Sequence, residues 1–71
     1  MTHDRALQIL RDALGPAGLV TREDIESIFR IERRTIEKHE GKLIERCNPR
    51  GKAYYERPVV VRYLEKVGIV G

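Results

Sequence analysis

Arg33, Arg34, Thr35, Lys38, His39 and Lys42 fall within ten residues and carry side chains suited to reading a polyanion. On a helix, positions 34, 38 and 42 share one stripe, and 35 and 39 lie beside it. An arginine can grip guanine O6 and N7 with two hydrogen bonds, and a threonine can meet a thymine methyl or a phosphate. The plainer alternative is a solvated face neutralised by Glu37 and Glu40. Arg50 and Lys52 follow in Asn48-Pro49-Arg50-Gly51-Lys52, where long cationic side chains at a turn reach a phosphate or a narrow minor groove. The alternative there is an ordinary polar turn. Arg22 opens another helix, where exposed amides favour phosphate, or it is simply a surface residue. Tyr54 and Tyr55 alternate across a strand, so one faces in. Tyr55 is the expected core residue. Tyr54 can bond a phosphate or stack on a base, with packing as its plainer role. His39 can donate to phosphate when protonated and otherwise reads as a polar surface residue.

These side chains need elements to hold them. Residues 3–14 repeat Ala6, Leu7, Ile9, Leu10, Ala13 and Leu14 at helical spacing. Thr2 is the N-cap, and Gly15-Pro16 ends the helix. Ala17-Gly18 completes a loop. Thr21 precedes Arg22-Glu23-Asp24, so its hydroxyl caps a second helix whose acidic first turn suits the dipole. Ile25, Ile28 and Phe29 form its inner face. Arg30-Ile31-Glu32 is a turn, with Ile31 inward. A third helix runs from about Arg33 to Glu40, held by Ile36 and ended by Gly41. A short strand is expected near 44–47, then the Asn48–Gly51 turn, then a returning strand at Ala53-Tyr54-Tyr55. Pro58 starts the last helix, with Val60, Tyr63, Leu64 and Val67 inward and Gly68 at its end. The fold class is therefore mostly α with a small two-stranded β-hairpin.

Length and charge bound the function. A chain of 71 residues is one domain and leaves little interior for a deep pocket. The formal charge is only +3, but residues 30–57 hold nine Lys or Arg against five Glu, a surplus of four. The positive charge is thus concentrated where the third helix and the turn lie, the footprint expected for phosphate. The single cysteine, Cys47, suits a reducing compartment and reads as a small strand filler. One Cys with His3 and His39 gives no metal spacing. No run of apolar residues is long enough to span a membrane, and no signal-peptide pattern begins the chain, so the expected location is cytoplasmic. The acidic residues are scattered over helix exteriors, so no enzyme, cofactor or small-molecule substrate is expected.

The order from Thr21-Arg22-Glu23-Asp24-Ile25 through Arg33-Arg34-Thr35-Ile36 to the basic turn, Val60, Tyr63, Leu64 and Glu65 resembles the winged helix-turn-helix of the MerR and excisionase superfamily. The resemblance covers about two-thirds of the chain, 21–67, and leaves helix 3–14 as an addition. It implies a recognition helix in the major groove and a wing on the backbone or minor groove. The family usually has small residues where this chain has Ile25 and Glu26, a Gly where it has Arg30, and a Ser cap where it has Glu32. Arg30 is costly in a left-handed turn, so the turn is expected to be opened or reshaped, and Glu32 is expected to cap less well. Full-length MerR-type regulators continue into a long dimerisation helix. This chain ends at Gly71, so the closer resemblance is to excisionases and small phage or prophage regulators of mobile elements. Those act in excision or transcription regulation, usually as several copies on adjacent sites, which implies a homo-oligomer on DNA.

The sequence thus points to a double-stranded DNA partner, contacted through Arg22, Arg33, Arg34, Thr35, Lys38, His39, Lys42, Arg50, Lys52 and Tyr54. The rival is a protein-interaction module on the same scaffold, docking through helix 3–14 or the Ile69-Val70 tail. An RNA binder has little support: there are four aromatic residues and no RNP-like pattern.

Overall fold

The computed structural model describes residues 1–16 and 18–71. Its elements run α1 (His3–Leu14), β1 (Leu19–Thr21), α2 (Arg22–Phe29), α3 (Arg33–His39), β2 (Tyr54–Glu56) and α4 (Arg57–Lys66). The fold class is the expected one: mostly helical, with one small antiparallel β pair in a winged-helix-like order and an added N-terminal helix. Of the loop expected at Ala17-Gly18, Ala17 lies outside the described residues.

The helix starts follow local chemistry. Thr2 accepts a hydrogen bond from the Arg5 amide and caps α1. Thr21 and Asp24 form a reciprocal capping box on α2, which satisfies two amides that would otherwise lack partners. Pro58 sits in the first turn of α4, where its missing N–H costs nothing. The turn between α2 and α3 is not opened. Arg30 takes the left-handed conformation at φ 58, ψ 38, so the chain keeps the glycine-type geometry and carries its steric cost. Glu32 makes no side-chain cap on α3, as expected.

The sheet corrects one expectation. The partner of β2 is β1, in the register Leu19↔Glu56, Val20↔Tyr55 and Thr21↔Tyr54. No strand forms at 44–47. After Gly41, at φ +83, the chain curls through a tight turn and meets Glu40 at Ile44 in a single bridge. Further along, the Cys47 amide reaches the β2 backbone at the Tyr54 carbonyl (2.9 Å). The Tyr54 amide donates instead to Asn48 Oδ1 (3.1 Å). A side chain has replaced the ladder, so the wing is a loop closed at its neck. Cys47 is accordingly exposed, not a strand filler.

The core gathers every element. Ala6 and Leu10 of α1, Val20, Ile25, Ile36, Tyr55, and Val60, Tyr63 and Leu64 of α4 are completely buried. Ile28, Phe29, Ile31 and Val67 pack at its edge. Val61 joins the core beyond the expected stripe, which makes α4 the most deeply buried helix. The Gly71 amide donates to the Met1 carbonyl (3.0 Å), so the two ends meet beside α1 and α4.

Candidate nucleic-acid interface

Only Ile36 of α3 is fully buried. Helical geometry then puts Arg34 and Lys38, two residues to either side, on the opposite face. Both are exposed, and Thr35 is half-buried beside them. Lys42 lies beyond the end of α3, in the turn, and is exposed. It extends the basic ridge without belonging to the helical stripe the sequence suggested.

The wing is built around Asn48. Its Nδ2 donates to the carbonyls of Arg50 and Lys52 (both 2.6 Å), and its Oδ1 accepts from Tyr54. Gly51 supplies the positive φ of +78 that the reversal needs. Arg46 braces the loop by donating to the Gly51 carbonyl (3.3 Å). Arg50 and Lys52 are left exposed at the tip. A hollow of about 230 Å³ between the wing and the starts of α2 and α3 is lined by Arg22, Glu23, Arg33, Gly51, Lys52 and Ala53. The wing tip and the front of α3 therefore share one continuous surface.

The expected contact residues divide into two sets. Among the described residues, Arg34, Lys38, Lys42, Arg50 and Lys52 have no carboxylate within ion-pair distance. Arg33 is exposed but lies 3.7 Å from Glu23 and 3.6 Å from Glu37. Arg22 turns inward. Its side chain is 19% exposed, and it reaches Glu40 at 2.8 Å and Glu37 at 3.6 Å. It also donates to the Tyr55 hydroxyl (3.1 Å). His39 is not a loose surface residue: its Nδ1 and the Tyr63 hydroxyl are hydrogen-bonded at 2.8 Å, with the rings edge to face. Tyr54 is half-buried beside the wing.

Glu40, which the sequence suggested only as a neutralising surface acid, is the hub of this region. It accepts from the Tyr55 hydroxyl (2.7 Å) and Arg22 (2.8 Å), and Arg46 lies 3.2 Å away. Partial burial opposes its ionisation. The hydrogen bonds from Tyr55 and Arg22 and the charges of Arg22 and Arg46 outweigh that and hold its carboxyl below the usual range. Burial, followed by donation to Glu40, pushes the Tyr55 hydroxyl up to about 12. One carboxylate thus joins the start of α2, the end of α3, the neck of the wing and β2. Glu26 is a second unforeseen contributor. Its Oε2 accepts from the Arg33 amide (3.0 Å) and caps α3 from across the turn.

No protein-family model, curated protein or solved structure matches the chain. Among the described residues no cluster of His, Cys, Asp or Glu could hold a metal ion, and no helix is long and apolar enough to cross a membrane.

Proposed function

We propose that the chain binds double-stranded DNA as a small winged-helix regulator of the MerR and excisionase type, acting in the cytoplasm. In this reading α3 enters the major groove with Arg34, Thr35 and Lys38 toward the base edges. Lys42, Arg50 and Lys52 neutralise flanking phosphates. The carrying observation is a clustering of charge. Among the described residues, five cations without a carboxylate within ion-pair distance, Arg34, Lys38, Lys42, Arg50 and Lys52, lie together on the outer face of α3, the following turn and the wing tip, while Arg5, Arg11, Arg30, Arg62 and Lys66, also without one, are spread over the rest of the surface. Arg22 and Arg46 brace the fold from inside. Arg22 and His39 therefore act through position, by fixing α2 and α3.

Titration with a mixed-sequence duplex tests this directly. Amide shifts are expected on residues 33–42 and 50–54, and not on Leu7, Leu10 and Leu14. Neutralising about five phosphates gives a slope of roughly −4.5 in log K against log salt, a loss of about 500-fold from 50 to 200 mM. A flat salt response would favour the protein-interaction reading. Arg34→Ala is expected to weaken a preferred site by roughly 1–3 kcal/mol and relax base preference. Arg50→Ala weakens all duplexes more evenly. Undiminished binding in both variants, with folding intact, would end the DNA reading.

A further inference from the structure

A hollow of about 160 Å³ lies away from the wing, between the turn after α3 and the outer face of α4. Leu43, Ile44 and Val59 form its floor. Leu43 and Val59 remain partly open to solvent. Three cations, Lys42, Arg62 and Lys66, stand on its rim against one carboxylate, Glu45. Arg62 and Lys66 are one turn apart on α4, both exposed. Lys66 leans over the floor, its Nζ donating to the Leu43 carbonyl (3.4 Å). Arg62 has no carboxylate within ion-pair distance among the described residues.

We infer that this hollow docks an acidic peptide segment bearing one aliphatic side chain. The commitment rests on charge complementarity combined with the floor. A phosphodiester needs donors and gains nothing from Leu43 and Val59. A carboxylate-rich segment with a Leu or Val anchor uses both, desolvating the floor while its acids meet the rim. The volume admits one such side chain, so affinity is low and depends on the charges around it. The site is separate from the outer face of α3, and Lys42 borders both surfaces.

The probe is a blocked pentapeptide, Asp-Glu-Leu-Glu-Asp, titrated into the full chain while side-chain methyl signals are followed. The Leu43 and Val59 methyls are expected to move. Two control peptides, Asn-Gln-Leu-Gln-Asn and Asp-Glu-Ser-Glu-Asp, are each expected to bind roughly tenfold more weakly, one lacking charge and the other the anchor. Arg62→Glu, on an exposed face, is expected to abolish the Leu43 and Val59 shifts with the fold intact by circular dichroism. Lys66→Gln provides a milder check. Arg34→Ala should leave peptide binding unchanged, which separates this site from the DNA reading. The inference is overturned if the peptide does not bind at millimolar concentration, or if its shifts fall on Arg50 and Lys52. Equal binding by either control overturns it as well. So does a duplex that moves the Leu43 and Val59 methyls when the peptide does not.

Discussion

At its C-terminal end α3 runs into a partly buried knot, and at its N-terminal end into a few exposed contacts. Glu40, just past the last turn, takes hydrogen bonds from Tyr55 and Arg22, and His39 beside it is joined to Tyr63 of α4. The opposite end has no cap of its own. It relies on Glu26 from α2, across a turn held at Arg30 in a left-handed conformation. The knot fixes where the helix ends. The front is held by exposed contacts that water can compete for: the Glu26 cap and the longer ion pair of Arg33 with Glu23.

The sharpest way to break the contrast is Glu40→Ala. It removes the acceptor of the Tyr55 hydroxyl and the nearer carboxylate of Arg22, which keeps only Glu37 at 3.6 Å, and is expected to cost about 2 kcal/mol, roughly a 10 °C fall in Tm for a domain of this size. Urea unfolding followed by circular dichroism measures it. A loss no larger than that for an exposed glutamate would mean the knot holds nothing. The same carboxylate sets an acid limit. Its folded pKa is depressed, so its stabilisation is complete above the ordinary carboxylate value of 4.5 and is lost as pH falls through the lower folded value. Glu40→Gln should therefore narrow the gap between urea midpoints at pH 7 and pH 3.

The front end should respond less. Glu26→Ala is expected to cost about 1 kcal/mol, the scale of one lost helix cap, and to increase amide exchange at Arg33 ahead of Ile36. Uniform exchange across α3 would contradict a soft front. The smallest effect is Arg30→Gly, a gain of about 0.5 kcal/mol. Relief of left-handed strain is largely offset by the greater freedom of glycine in the unfolded chain. A loss of stability would show that the Arg30 side chain does something beyond occupying the turn.

What could be read from sequence follows from how local each interaction is. The capping box of α2 lies within Thr21–Asp24, and the inner faces of α1 and α4 repeat every three or four residues. The turn chemistry of the wing is written in Asn48, Pro49 and Gly51. The three-residue strand Leu19–Thr21 is too short to display alternation. Its capture of β2 depends on chain returning from Tyr54, so the strand expected at 44–47 lost its place to a distant competitor. Glu40 and Glu26 look like ordinary surface acids in the sequence, because their partners are 6 to 18 residues away. The inward turn of Arg22 was hidden for the same reason. Arg62 and Lys66 went unremarked as well, because only the fold brings them beside Leu43 and Val59.

The pairing of Leu19–Thr21 with Tyr54–Glu56 also governs the order in which this molecule can assemble. The strands close a loop of chain that contains α2, α3 and the whole wing, residues 22–53. Drawing such a loop shut costs roughly 3 kcal/mol of chain entropy before any contact inside it compensates. Neither α2 nor α3, at eight and seven residues, is long enough to persist alone in water. Formation of the two-stranded clasp and the seating of Val20 and Tyr55 under α4 are therefore expected to coincide with helix formation. An excised peptide spanning only 22–53 would carry the cations of the proposed interface in an unfolded chain.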